Sequence, residues 1–299
     1  MLEIFKTQIY TVLTLVNILF LFALYKKNNA IIDIAFGPFI FISSLIGYLY
    51  FAQNNFNIFN FICITLLAAW ALRISSRIYI KNKNKPEDFR YKAFREEWVL
   101  KGKHYFIVRS YLQIFLLQGF IVFLMSITPT ILFYFLSLNL INNIYTNILF
   151  IVFISMSAVG LCIEAISDIQ LDKWIKNKTN SEEKIMKTGL WNYSRHPNYF
   201  GESLFWLGLS LLSSFIFLVN IYYLILDRGV NFGLSNFIQM SLVLIIILFV
   251  INISYTLILN LLLFVSGVPM LERKWDSMKL PEWENYKNTT SRFILKYKK

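Results

Sequence analysis

The stretch GLWNYSRHPNYFGESLFWLG, residues 189–208, joins a segment of charged, amide and aromatic side chains directly to an apolar run. Pro197 cannot donate a backbone hydrogen bond, and its ring holds φ near the helical value, so it suits the first position of a helix. The residues that follow are mostly apolar through Phe205 and Leu212, which predicts that the helix enters a membrane. The stretch therefore predicts a membrane-spanning helix whose first turns carry polar groups.

These first turns have the properties of a ligand site. Their backbone N–H groups lack partners within the helix, and the positive end of the helix dipole points back toward Arg195 and His196, so the terminus attracts phosphate or carboxylate. Asn198 and Glu202 are four residues apart and project from one face, where lipid does not tolerate them. The alternative is that Tyr199 and the other aromatic and basic residues only anchor the helix at the membrane surface. The ionisable Glu202 favours a functional site.

The composition indicates a polytopic membrane protein. Of 299 residues, 57% are hydrophobic and 15% are charged, and the mean hydropathy is +0.56, whereas soluble domains carry about 25% charged residues. The apolar runs that suggest spans are residues 7–25, 31–52, 59–80, 105–125, 148–166, 202–226 and 237–265. They predict an all-α fold, a membrane helix bundle of about seven transmembrane helices that forms one domain over residues 1–299.

Cysteine and histidine are too few for a metal site or a disulfide framework. Cys63 and Cys162 both lie in apolar runs without CxxC spacing, and His104 and His196 are the two histidines. The sequence therefore predicts no metal. It also contains no GxGxxG after a strand and no P-loop, which argues against a Rossmann or nucleotide-hydrolase domain.

The basic residues favour one orientation in the membrane. A formal net charge of +12 could indicate nucleic-acid binding, but the charges follow a membrane pattern. With the amino terminus outside and seven spans, only Lys6 and Arg228 of the 29 lysines and arginines fall on the outer side. We expect an integral membrane protein of a bacterial inner membrane or an endomembrane, with a cytosolic carboxyl terminus, in contact with membrane lipids and not with nucleic acid.

Other ionisable residues fall on the same cytosolic side. Asp33 lies in the first turn of the second span, Arg73 lies in the third, and Glu164 and Asp168 lie four apart at the end of the fifth. Each has a simpler interpretation: a helix cap for Asp33, a snorkelling cation for Arg73, and a solvated helix end for the acidic pair. Their convergence on one side instead predicts a single site, open to a charged cofactor from the cytosol and to an apolar substrate from the bilayer.

Residues 194–202, SRHPNYFGE, resemble the signature of the steroid 5α-reductase-like membrane proteins, in particular their bacterial DUF1295 branch. Further segments resemble the same family in the same order, and they are WALR (70–73), EDFRY (87–91), EAISDIQ (164–170), SGVPMLE (266–272) and YKNTTSRF (286–293). The resemblance covers most of the chain from Ile31 onward. One departure is Ile294 and Leu295, where the family has a proline after the aromatic residue.

The resemblance implies that NADPH is the cofactor and that residues 150–299 carry the core that binds it. Asn198 and Glu202 match positions that bind the nicotinamide and its ribose, Asp168 matches one on the adenosine side, and Arg195 lies where a cation could meet the diphosphate. The other residues that we assign to cofactor binding are Glu164, Glu272, Tyr286, Arg292, Arg73, His196 and Tyr199.

The implied reaction is hydride transfer from NADPH to the β-carbon of an enone in a lipid-soluble, sterol- or polyprenoid-like substrate. The cofactor carries the difficult step, and the protein orients it and excludes water. An acid must polarise the carbonyl oxygen as negative charge develops there. The candidates are Asp33, kept protonated by burial, and Tyr91, which is predicted to lie on the same side of the membrane.

Two other functions remain open. Isoprenylcysteine carboxyl methyltransferases and phospholipid methyltransferases also place an RHPxY motif with a following glutamate at their last long helices, and they use S-adenosylmethionine. The EDFRY and SGVPMLE segments argue against that alternative. The other alternative is a non-enzymatic lipid-binding protein that has kept the fold. The sequence leaves the lipid substrate and the oligomeric state open.

Overall fold

The computed structural model of the protein describes residues 1–52, 57–138, 143–177, 184–228 and 234–297. Within these ranges the chain is helical and contains no β-strand. The helices are α1 (Leu2–Lys26), α2 (Ile31–Ala52), α3 (Ile58–Asn82), α4 (Phe89–Leu100), α5 (Lys103–Ser110), α6 (Leu117–Ser137), α7 (Ile144–Asn177), α8 (Pro197–Arg228), α9 (Leu234–Ile251), α10 (Ile253–Asn260), α11 (Val268–Ser277) and α12 (Pro281–Thr289). Two π-helical turns, Tyr111–Leu116 and Leu261–Val265, follow α5 and α10, and a 3₁₀ turn, Gly189–Asn192, precedes α8.

The all-α membrane architecture predicted from the sequence is confirmed. Among the described residues, seven helical stretches are long and apolar enough to cross a membrane. They are Leu2–Lys26, Ile31–Phe51, Ile58–Asn82, Lys103–Ser137, Ile144–Asn177, Pro197–Leu226 and Ile253–Ser277. The protein is therefore an integral membrane protein whose apolar helices contact lipid.

The chain divides into two compact units. Unit 1 comprises Met1–Ile141 and Ile216–Ile251, and unit 2 comprises Asn142–Phe215 and Asn252–Lys299. The sequence predicts that residues 1–299 form a single domain, and this stays a prediction.

In unit 1, α2 packs against α1, α3 and α6. The helix runs without interruption through Pro38, which has no N–H to donate to the carbonyl of Ile34. The hydroxyl of Ser75 on α3 donates to that carbonyl instead, at 2.8 Å. Lipid offers no hydrogen-bond donor, so a side chain from the neighbouring helix satisfies the backbone group that proline leaves open.

Two helix assignments differ from those predicted. α7 continues to Asn177, so Glu164 and Asp168 lie within a helix and not at its end. The connector predicted over residues 81–104 contains α4, which begins after Asp88 because that carboxylate accepts a hydrogen bond from the backbone N–H of Arg90 at 3.0 Å. Apolarity does not reveal how far a helix extends into water, and this is why both were missed.

The seventh predicted span, residues 237–265, is divided. α9 ends at Ile251 and α10 begins at Ile253. In unit 1 the hydroxyl of Thr128 donates to the carbonyl of Ile251 at 2.5 Å, and in unit 2 the side-chain amide of Asn252 donates to Ser214 Oγ at 2.9 Å. These contacts join residues that are far apart in the chain. The apolar pattern of residues 237–265 is continuous, so it does not reveal the break between α9 and α10.

In unit 2, glycines allow α7 and α8 to approach closely. A Cβ atom on Gly160 would overlap the backbone nitrogen of Phe205, and a Cβ on Gly201 would lie 2.5 Å from the backbone nitrogen of Glu164. Small residues at a crossing let two helix backbones come into contact, which is a common source of helix association in membranes. Ser157 Oγ adds a hydrogen bond to the carbonyl of Phe205, at 2.9 Å.

Replacing Gly160 by alanine should destabilise unit 2, because its methyl group would meet backbone and not a movable side chain. We expect Gly160→Ala to lower the free energy of unfolding by about 1–3 kcal/mol. Thermal unfolding of the detergent-purified protein measures this, with Val159→Ala, on the exposed side of α7, as the matched control. Equal melting temperatures for the two variants would contradict the close approach.

Candidate functional site

The predicted helix start at Pro197 is confirmed, since α8 begins there. Asn198, in its first turn, donates from Nδ2 to the Asp168 carboxylate on α7 at 3.2 Å. Glu164 and Glu202 lie one turn from these two residues on the same two helices, and all three acids are buried. The structure thus brings an amide and three carboxylates onto the faces of α7 and α8 that meet at Gly160 and Gly201. Carboxylates in this setting are suited to accept hydrogen bonds from hydroxyl groups.

Beside the start of α8, three cationic or potentially cationic side chains surround Glu272. Arg195 Nε lies 2.9 Å and His196 Nε2 lies 3.2 Å from Glu272 Oε1, and Arg292 Nε lies 3.3 Å from Oε2. We call these four residues the Glu272 cluster. Because carboxylate oxygens only accept here, the proton of the imidazole is placed on Nε2.

The Glu272 cluster carries an excess of positive charge. Burial lowers the pKa of His196, and the hydrogen bond to Glu272 opposes this only in part, so the imidazole is neutral near neutral pH. Two guanidinium groups then face one carboxylate. The Arg292 side chain is 49% exposed, so it can also meet a soluble anion.

Arg195 is engaged by the protein itself. Its Nη1 donates to the carbonyls of Lys287 and Thr290, at 2.6 and 3.1 Å, and only 8% of the residue is exposed. The sequence assigned it to the cofactor diphosphate. In the structure its hydrogen bonds hold the carboxyl-terminal segment, and its assignment to the diphosphate stays a prediction. Arg292 is the more accessible cation of the cluster.

The carboxyl-terminal tail, residues 290–297, is docked on the segment before α8. The N–H of Arg195 donates to the carbonyl of Ser291 at 2.8 Å, and Ser194 Oγ donates to the carbonyl of Phe293 at 2.7 Å. The Tyr286 hydroxyl donates to the carbonyl of Trp191 at 2.5 Å. The missing proline after Phe293 therefore does not prevent docking, since backbone hydrogen bonds hold the tail.

In unit 1, the two predicted catalytic residues are in direct contact. The Tyr91 hydroxyl lies 2.6 Å from Asp33 Oδ1, and Arg90 Nη2 lies 3.0 Å from Oδ2. Gln118 Nε2 lies 3.2 Å from Asp33 Oδ1 and 3.0 Å from the Tyr91 oxygen. We call these four residues the Asp33 cluster. Asp33 accepts hydrogen bonds from Arg90, Tyr91 and Gln118, and the acid role assigned to Asp33 and Tyr91 stays a prediction.

The EDFRY segment is ordered by contacts of four of its five residues. Glu87 accepts from Arg95 Nε at 2.7 Å and from the backbone N–H of Asn29 at 2.6 Å, while Asp88 caps α4. The sequence singled out this segment by resemblance without giving Arg90 a role. The prediction from sequence missed Gln118. A polar residue inside an apolar span was the signal that could have identified it.

The site residues assigned from the sequence divide between the units. Asp33, Tyr91 and Arg73 lie in unit 1, and the other ten cofactor candidates lie in unit 2. Among these ten, Tyr199 stacks on the His196 ring with centroids 5.6 Å apart. No group of three or more potential metal ligands occurs among the described residues.

One family model matches this chain. Residues 19–228 match the model of DUF1295, which is described as a protein of unknown function. The match covers more than half of the chain and includes the Asp33 cluster and the start of α8, but it ends before Glu272. Neither the curated proteins nor the solved structures contain a match.

Removing the charge of Glu272 should free the tail, because Arg195 would keep a buried charge without its partner. We expect Glu272→Gln to lower the free energy of unfolding by about 3–5 kcal/mol and to speed trypsin cleavage after Arg292. Limited proteolysis followed by mass spectrometry measures this, with Glu284→Gln, an exposed acid on α12, as the control. Cleavage at the control rate would show that Glu272 does not hold the tail.

Proposed function

The chain belongs to the DUF1295 family, and from this premise and the geometry of its two clusters we propose that it is an NADPH-dependent reductase of a C=C bond in a lipid-soluble enone. The observation that carries the proposal is the hydrogen bond between Asn198 and Asp168 at the start of α8, beside two further buried acids. Amide and carboxylate groups buried at the end of a membrane helix are functional candidates by default.

The residues of unit 2 fit the parts of a nicotinamide dinucleotide. Asn198 offers a donor and an acceptor to a planar carboxamide, and Glu202 and Glu164 offer acceptors to ribose hydroxyls. Asp168 is assigned to the adenosine side. NADPH, when bound, supplies the hydride.

The charge of the Glu272 cluster supports an anionic ligand. The cluster holds one positive charge in excess, and the amino terminus of α8 adds a partial positive charge next to it. A diphosphate would neutralise this excess positive charge. Arg292 is the cation assigned to this contact, because its side chain is half exposed.

In unit 1, Tyr91 is assigned as the acid that meets the carbonyl oxygen of the substrate, and Asp33 as the carboxylate that orients it. Tyr91 is buried and its hydroxyl is fixed by two partners, as a preorganised donor requires. Arg90 neutralises Asp33 and holds it in place at 3.0 Å. Under this proposal the amino terminus lies outside, the carboxyl terminus lies in the cytosol, and the substrate, sterol- or polyprenoid-like, arrives from the bilayer.

We predict that NADPH stabilises the detergent-purified protein and that S-adenosylmethionine does not. A ligand at one hundred times its dissociation constant adds about 2.7 kcal/mol of stability, which a thermal unfolding curve resolves. Asn198→Leu should abolish the shift, and Asn17→Leu, on the exposed side of α1, should keep it. Glu202→Gln, which preserves shape, gives the same test if Asn198→Leu does not fold.

Stabilisation by S-adenosylmethionine alone would instead indicate a methyltransferase, and stabilisation by neither ligand would favour a lipid-binding protein. Either result would overturn the reductase proposal.

Loss of the proposed acid should stop turnover without loss of cofactor binding. We expect Tyr91→Phe and Asp33→Asn each to lower kcat by about 10²–10⁴-fold while the thermal shift with NADPH is kept. The substrate for this assay is sought by mass spectrometry, as the lipid two hydrogens lighter than its product that accumulates in a deletion strain. Full turnover in both variants would show that this acid assignment is wrong.

A further inference from the structure

Gln118 lies just after a π-helical turn in a membrane span. The turn, Tyr111–Leu116, separates α5 from α6, and Gln118 is the second residue of α6. A π turn holds one residue more than an α turn, so it rotates the residues that follow it by about 100° relative to those before it. Leu117 and Phe120 are exposed beyond the turn, while Gly119 is buried and Gln118 is partly buried. Single π turns inside helices are frequent at functional sites.

The contacts of Gln118 fix the direction of the hydrogen bond between Tyr91 and Asp33. Only a donor can lie 3.2 Å from a carboxylate oxygen, so the NH₂ group of Gln118 faces Asp33. The same nitrogen lies 3.0 Å from the Tyr91 oxygen, which must therefore accept. The single phenolic proton then points to Asp33 Oδ1 at 2.6 Å.

We propose that Gln118 is a positioning residue for Tyr91, which the π turn places so that its amide holds the phenolic oxygen and stabilises the phenolate. The inference rests on the proposed function, in which Tyr91 gives its proton to a substrate oxygen. In that step the hydroxyl group of Tyr91 rotates about its C–O bond so that its hydrogen turns from Asp33 Oδ1 to the substrate oxygen, the O–H bond breaks, the proton joins the substrate oxygen, and the electron pair stays on Tyr91. Solvent water later returns a proton to the phenolate.

The charged groups around Tyr91 explain why its phenolate needs the hydrogen bond from Gln118. Within the described residues, Asp33 on α2 and Arg90 on α4 are the charged groups in contact with Tyr91, and α6 contributes the neutral Gln118. Burial raises the pKa of Tyr91 and Asp33 raises it further, whereas Arg90 and the hydrogen bond from Gln118 lower it. Without Gln118, the phenolate would lose the one neutral donor that remains bonded to it when the proton leaves.

The test measures Tyr91 ionisation directly and needs no substrate. Position 91 is labelled with tetrafluorotyrosine, whose fluorine atoms lower the phenol pKa enough to bring a titration raised by burial into an accessible pH range, and its ionisation is followed by ¹⁹F NMR in detergent as pH is raised. Gln118→Met keeps an unbranched side chain and removes the donor. We expect it to raise the pH of half-ionisation by about one unit, whereas Gln113→Met, at an exposed position of the π turn, should leave it unchanged.

Equal titration curves for Gln118→Met and the label-only protein would overturn the proposal, since a residue that only packs the helices would not change the ionisation. If Gln118→Met fails to fold, Gln118→Glu replaces the donor with an acceptor of the same shape and should raise the titration further. A shift in the titration without any NADPH-dependent turnover would support the inference about Gln118 and count against the reductase proposal. The two failures are therefore distinguishable.

Discussion

The close approach of α7 and α8 at Gly160 and Gly201 is the contact on which the unit 2 site depends. A side chain at either glycine would meet backbone atoms of the other helix, so the two helices would separate. Glu164 and Asp168 follow Gly160 along one face of α7, and Asn198 precedes Gly201 on α8. Because the backbones touch, these short side chains reach one another across the interface, as the 3.2 Å bond between Asn198 and Asp168 shows. The glycines thus set the geometry of the polar groups.

Charged side chains surround Glu272 beside the start of α8. Glu272 is one buried acid that meets two guanidinium groups and a neutral imidazole. Arg195 donates hydrogen bonds to Glu272 and to the carbonyls of Lys287 and Thr290. This residue, which lies just before α8, therefore also holds the carboxyl-terminal segment in place. The excess positive charge lies on Arg292, whose side chain is half exposed, so it can meet an anion without breaking the buried pair of Arg195 and Glu272.

Unit 1 shows how a membrane helix bundle accommodates polar groups that lipid would reject. Ser75 satisfies the carbonyl that Pro38 leaves open, and Arg90, Tyr91 and Gln118 satisfy Asp33. In each case the partner comes from another helix, so the polar group also specifies which helices pack together. The EDFRY segment, which a composition-based interpretation treats as a solvated loop, is the segment that supplies two of these partners.

The sequence by itself determined the features that are encoded locally: the membrane class and all-α fold from apolar runs, the helix start at Pro197 from its missing N–H, and Asp33 as an ionisable residue in the first turn of a span. Tertiary structure alone decided the break at Asn252, the partners of Arg195 and the place of Gln118. The physical reason is the distance along the chain over which each interaction acts. A proline or an apolar run acts on its neighbours, whereas Gln118 meets Asp33 from 85 positions away, and only packed helices bring such residues together.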